Sequence, residues 1–292
     1  MAVKITAKQV KELRDMTDSP MMECKKALVE AEGDIEKAID VLRTMGVAKA
    51  IKKAGRETNE GTVATYISED GKSAGMVEVY CETDFVGTNP KFTGFAAEIA
   101  QVVAENKPAD EEALKACKMG DETVSEAFTE LIHIMGENMK FGRFCSLDVE
   151  NGTFAQYVHL GGKLGVLVEF SFNNAETANN DAFKAFAHDV AMQVAAAGAQ
   201  AARREDLDPE IVEHEKGIYM EQAAASGKPD FIQEKIATGR LEKFFGETVL
   251  TEQKFIKDGD VTIADLAKKV GKECNDTIEI VNFVRYNFGE EA

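Results

Sequence analysis

No two of the five cysteines, Cys24, Cys81, Cys117, Cys145 and Cys274, lie close in sequence. No pair has metal-ligand spacing, and an odd count in a cytosolic chain argues for free thiols. The four histidines are as scattered, which argues against a zinc site. Long hydrophobic runs are missing too: none approaches the ~18 apolar residues of a membrane span. The start, Met1 to Thr6, lacks the apolar core of a signal peptide and leads straight into a helix pattern. The expectation is a cytoplasmic chain with no membrane, metal or cofactor. Positive charge is also short, with 34 Lys and Arg against 52 Asp and Glu, a net of −18. That argues against sequence-independent nucleic-acid binding, which needs a basic surface.

What remains is an ordinary globular mix, 44% hydrophobic and 29% charged over 292 residues, with room for about two domains. The charge is uneven. Residues 1–56 carry twelve Lys and Arg against nine Asp and Glu, a net of +3, leaving −21 for the rest. Such asymmetry marks either a separate module or a chance excess. Thr6 with Gln9 is a capping-box pattern, Ser19-Pro20 reads as a second helix start, and Asp34 caps a third helix. Gly46 reads as its stop. Three short helices make a compact bundle resembling a ubiquitin-associated domain. Met21 and Met22, at the start of the second helix, are either a soft contact surface or core filler. Lys49 to Arg56 is a basic stretch, read as a solvated helix end before a polar linker.

Beyond the linker the sequence repeats itself. Gly61-Thr62-Val63-Ala64-Thr65-Tyr66-Ile67 recurs as Gly152-Thr153-Phe154-Ala155-Gln156-Tyr157-Val158, 91 residues on. Gly71-Lys72 recurs as Gly162-Lys163. A one-residue shift then aligns Gly75 to Tyr80 with Gly165 to Phe170. The 91-residue spacing returns for Phe92, Phe95, Ala96, Ile99, Ala100 and Val103, matched by Phe183, Phe186, Ala187, Val190, Ala191 and Val194. Each copy reads as a strand, a Gly-containing hairpin turn, a second strand and an amphipathic helix. Between the copies, roughly 110–142 reads as helical, with a strand from Phe144 to Val149. Asp208-Pro209 opens a helical hairpin, turned at Ser226-Gly227-Lys228-Pro229. A helix at Ile263 to Val270 and a strand at Thr277 to Tyr286 follow.

The predicted class is α+β: an N-terminal three-helix bundle, then two repeated α+β subdomains with the helical hairpin inserted in the second. The predicted domains are 1–56, 57–142 and 143–292, with the hairpin at about 208–250. One stretch stands apart. Thr83-Asp84-Phe85-Val86 follows an apolar strand and precedes Gly87-Thr88-Asn89-Pro90, read as a turn. An aromatic beside a carboxylate at a strand mouth is a protruding tip and not a core pattern. Aligned with the shift, its partner copy has Asn173-Asn174, so the fold does not require Asp-Phe there.

Leu13-Arg14 through Met21-Met22-Glu23-Cys24-Lys25-Lys26-Ala27-Leu28, the Thr83 to Val86 tip, Gly136-Glu137-Asn138, Gly165-Val166-Leu167-Val168 and Ser226-Gly227-Lys228-Pro229 together resemble bacterial-type translation elongation factor Ts. The resemblance covers most of the chain. It implies a non-catalytic guanine nucleotide exchange factor that binds elongation factor Tu·GDP, displaces Mg2+ and promotes GDP release. It implies that Phe85 wedges into the GTPase while Asp84 disturbs the groups around Mg2+. Arg14, Met21, Met22 and Lys25 match its surface for the GTPase domain. Met135 and Gly136 match positions behind the wedge, and His159 one that faces a later domain of elongation factor Tu. In some relatives the helical hairpin mediates self-association. Family members that continue into a C-terminal helical module make contacts not expected of a sequence ending at Ala292.

Two other classes compete. A thiol enzyme would use Cys81 beside Glu82 and Asp84, but neighbouring carboxylates raise a thiol pKa and no motif supplies a base. A ubiquitin-associated-type adaptor accounts for residues 1–56 and leaves the repeat and the tip unexplained.

Overall fold

The structure, a computed structural model, describes residues 5–225 and 227–290. Ser226 of the expected hairpin turn and the first four residues of the expected N-terminal start lie outside them. The chain packs into two compact units: one holds the described residues of 1–64, 77–145 and 288–292, the other residues 65–76 and 146–287.

In the first unit, α1 (Ala7–Thr17), α2 (Met21–Glu30) and α3 (Ile35–Lys53) enclose a core of Val10, Leu13, Cys24, Ala27, Leu28, Ala31, Ala38 and Leu42. Thr6 and Gln9 form the expected capping box, and Asp34 accepts from the Lys37 N–H. Two expectations change. Pro20, not Ser19, precedes α2, and its carbonyl takes the N–H groups of Glu23 and Cys24. Gly46 does not stop α3, which runs on to Lys53. A Cβ there would lie 3.4 Å from that of His133, so the glycine lets a later helix pack closely.

Strands β1 (Glu60–Ile67) and β2 (Ser73–Cys81) are followed by α4 (Asp84–Gly87), α5 (Pro90–Asn106) and α6 (Glu111–Ala116). Next come the small hairpin β3 (Lys118–Met119) and β4 (Glu122–Thr123), α7 (Val124–Met135) and β5 (Met139–Asp148). The stretch expected to be helical over 110–142 is thus two helices broken by a hairpin, with the strand starting at Met139. The chain repeats this plan in β6 (Gly152–His159), β7 (Leu164–Ser171), α8 (Asp181–Ala197), α9 (Pro209–Ala224), α10 (Asp230–Thr248), the hairpin β8 (Lys254–Phe255) and β9 (Asp258–Thr262), α11 (Ile263–Cys274) and β10 (Glu279–Asn287). The sheets have the orders β1-β2-β5 and β6-β7-β10, with the second strand central in both. The class is α+β. The repeat therefore extends past the predicted helix to a small hairpin, a further helix and a third strand, with α9 and α10 as the insertion.

All twelve apolar helix positions of the repeat are buried, Phe92 to Val103 on α5 and Phe183 to Val194 on α8. In the second unit they join Val166, Val168 and Phe170 of β7 and Ile263, Ala267 and Val270 of α11 in one core. The expected one-residue shift is absent. β2 and β7 begin 91 residues apart, at Ser73 and Leu164. A slip of one residue would turn every side chain of the strand to the opposite face. The chance match of Gly75 with Gly165 suggested a shift that packing forbids.

The repeat's leading glycine has a steric cause. A Cβ on Gly61 would lie 2.1 Å from the Val79 carbonyl oxygen, and one on Gly152 would lie 1.8 Å from that of Phe170. Backbone cannot retreat from such a contact without parting the strands. Gly152→Ala should therefore destabilise the protein by about 1–3 kcal/mol or more, as overpacking does. Urea unfolding at neutral pH measures it; an unchanged midpoint would contradict the steric account.

Candidate partner-binding surface

Strand β2 ends at Cys81 and the chain enters a helix within two residues. Thr83 has an extended backbone, and its hydroxyl accepts from the Val86 N–H, so it caps the turn Asp84–Gly87. Asn89 then caps α5, with Pro90 in its first turn. Two capping residues six positions apart each satisfy a helix start. The stretch expected as a strand-mouth tip followed by a turn is one helical turn joined to a second helix. That turn buries Val86 and leaves Asp84 exposed. Phe85 is 83% exposed, the most exposed of the large hydrophobic side chains described.

Two carboxylates hold the approach to the turn. Glu137 accepts from the Thr83 hydroxyl at 2.6 Å, the Thr83 N–H at 3.0 Å and the Glu82 N–H at 3.1 Å. Glu82 accepts in return from the Asn138 N–H at 2.5 Å and from Arg56 at 3.2 Å, while the Asn138 amide donates to the Arg56 carbonyl at 2.8 Å. Glu137 follows Gly136, which ends α7 in the left-handed region at φ 77°. The mutual contacts of Glu137, Glu82 and Arg56 are not legible in the sequence. No local periodicity could reveal contacts that span 26 to 82 residues.

Arg14, Met21, Met22 and Lys25 are all exposed, on α1 and the first turns of α2. The methionines, at 51% and 64% exposure, are not core filler. A Lys91–Asp18 ion pair at 2.8 Å ties the corner between α1 and α2 to the start of α5. Met135 is half-buried and Gly136 exposed. All of these, with the turn, belong to the first unit. His159 belongs to the second, where it is exposed, with Nδ1 2.8 Å from the Tyr157 hydroxyl. Cys81 is fully buried, its thiol directed at the Thr83 carbonyl, which withdraws it from reagents in solution. Among the described residues no group of three or more His, Cys, Asp or Glu could hold a metal ion, and no helix is long and apolar enough to cross a membrane.

The model of the family described as elongation factor TS matches residues 82–290. An elongation factor Ts of Clostridium perfringens is 47% identical over 287 residues, covering 98% of this chain and 93% of that protein. One of Desulfovibrio desulfuricans is 45% identical, covering 98% and 99%. One of Nitratidesulfovibrio vulgaris is 43% identical, covering 99% and 97%. The chain belongs to the elongation factor Ts family. Membership carries a role as a translation elongation factor. The match to the elongation factor Ts model starts at Glu82, the residue that enters the capped turn. Similarity to the elongation factor Ts relatives takes in the three-helix bundle as well.

The bundle meets α7 through a second group that sequence reading missed. His133, 4% exposed, lies on α7 with Nε2 3.3 Å from the Glu23 carboxylate of α2. Neither ring nitrogen makes a hydrogen bond among the described residues, so the ring and the carboxylate lie close without a bond between them. Lys49 of α3 pairs with the same carboxylate, and Lys53 donates to the Ile132 carbonyl. Burial pushes the His133 pKa down; Glu23 opposes, and Lys49 and Lys53 add to the fall. A native pKa below the unfolded value of about 6.5 means that the unfolded chain takes the proton first. The stability His133 confers is full above that value and is lost as pH falls through the native pKa. His133→Leu should flatten that slope, which reaches at most about 1.4 kcal/mol per pH unit. Unfolding midpoints taken between about pH 7.5 and 5.5 read the difference; parallel curves would exclude it.

Proposed function

We propose that the chain is a non-catalytic guanine nucleotide exchange factor for elongation factor Tu. It binds the GDP form, and its capped turn enters the GTPase near the partner's Mg2+. The Phe85 ring fills an apolar pocket, and Asp84 brings a negative charge towards the metal–phosphate site. Mg2+ then leaves, GDP loosens and GTP can bind. Arg14, Met21, Met22 and Lys25 add a basic, methionine-bearing surface for the same GTPase domain. Met135 and Gly136 back the wedge, and His159 meets a later domain of the partner.

The observation that carries this reading is the exposure of Phe85 on a turn whose backbone is fixed. A phenylalanine left in water forgoes about 1.5–3 kcal/mol of burial, which a partner pocket would recover as an interface hot spot. A charge near a bound metal changes the electrostatics of its site strongly. The burial of Cys81 removes the support for a thiol enzyme.

Phe85→Ala should leave the unfolding midpoint nearly unchanged, since most of the ring lies in solvent. Release of labelled GDP from elongation factor Tu at subsaturating factor should slow by roughly tenfold or more, the factor that ~1.4 kcal/mol represents. Release at the wild-type rate would sink the wedge.

A further inference from the structure

We propose that Glu137 is a positioning residue for the exchange reaction, presetting the direction in which Phe85 is displayed. This rests on the exchange reading above. A ring that is 83% exposed has little packing to orient it. Its direction follows from the backbone of the turn, whose start at Glu82 and Thr83 is held by the Glu137 carboxylate. The hydroxyl proton of Thr83 is committed to Glu137 at 2.6 Å, which leaves an oxygen lone pair facing the Val86 N–H, 3.4 Å away. The cap that starts the turn therefore depends on the carboxylate behind it. Glu82 closes the arrangement from the other side by accepting from Asn138. Two loops, each giving a carboxylate to the other's backbone, leave the turn little freedom before any partner arrives. Preorganisation of this kind favours productive contact because little order remains to be imposed on binding.

The second unit holds the same device without the wedge. Asp276 accepts from the Asn173 N–H at 3.1 Å, the Asn174 N–H at 2.9 Å and the Thr177 hydroxyl at 2.7 Å. Asn173 and Asn174 stand 91 residues after Glu82 and Thr83, and Asn174, like Thr83, caps the following turn. Asp276 follows Asn275, a left-handed helix end, as Glu137 follows Gly136. At the positions of Asp84 and Phe85 this turn carries Ala175 and Glu176. The equivalents are therefore one residue later than the shifted alignment implied. Removing either carboxylate takes away the same kind of hydrogen bonds, but only Glu137 stands behind an aromatic.

The absence of tryptophan allows a direct test. Phe85→Trp places the sole indole of the full chain at the turn. Adding Glu137→Gln should lower its fluorescence anisotropy, and adding Asp276→Asn should not. With Phe85 retained, Glu137→Gln should cut the GDP release rate at saturating factor roughly tenfold or more, as misplacement of a reacting group does, with a smaller change in the half-saturating concentration. Asp276→Asn should release GDP like wild type even where it lowers the unfolding midpoint. Thr83→Val, which removes one hydrogen bond to Glu137, should act in the same direction and serves if Glu137→Gln does not fold. Unchanged anisotropy in both Glu137→Gln and Thr83→Val, or equal slowing by Glu137→Gln and Asp276→Asn, overturns the assignment. Wild-type release by Phe85→Ala alongside lowered anisotropy in Glu137→Gln would instead overturn the exchange reading and leave the clasp standing.

Discussion

A carboxylate that gathers backbone N–H groups holds the strand-to-helix crossing in both units. Where the chain leaves the sheet, its N–H groups have lost their strand partners and have no helical ones yet. Such a donor, buried and unpaired, costs about 1–3 kcal/mol. Glu137 and Asp276 each take two of them, together with a side-chain hydroxyl. Hydrogen bonds to an ionised acceptor are shorter and stronger than neutral ones. Burial pushes the Asp276 carboxyl up, yet bonds from Thr177, Asn174, Asn173 and Thr277 outweigh it and hold the group well below the usual carboxylate range. In each unit the carboxylate sits between the end of one helix and the start of the third strand. A single residue thereby fixes the spacing of helix, crossing and sheet.

What was legible in the sequence was what repeats over short distances. The stripe from Phe92 to Val103 and its partner from Phe183 to Val194 stand on a 3.6-residue period, and all twelve are buried. The caps at Thr6 and Asp34 are three-residue patterns and form as read. The hairpin β3–β4 was not legible, because strands of two residues leave no period to detect. Gly46 was misread because a helix stop and a close helix crossing both call for a residue without a side chain. The false one-residue shift shows how an identity match can mislead where burial decides register.

The candidate site was legible as residues and not as an arrangement. Thr83 to Val86 stands out by composition, but only the structure turns it into a capped helical turn with Val86 inward and Phe85 outward. The choice between surface and core for Met21 and Met22 depends on which face of α2 meets α1 and α3, and the fold decides for surface. Glu137 shows only as part of a family motif, with nothing local to give its contacts, and His133 carries no local signal. Their partners lie on other elements of the chain, and only packing brings them together.

Duplication lets stability and display rest on different residues. The glycines at 61 and 152 and the buried stripes serve the same purpose in both units, so changes there act on the fold. The turn's outward positions are free of that demand: one copy carries Asp84 and Phe85, the other Ala175 and Glu176, on the same clasped backbone. An aromatic ring in water adds nothing to folding, and the energy it forgoes is recovered only in a partner's apolar pocket. If part of that energy weakens nucleotide binding in a complex, as the proposed exchange requires, the nucleotide must weaken binding of the factor by the same factor. On the exchange reading proposed above, the next nucleotide to bind would release a wedge carried on such a turn.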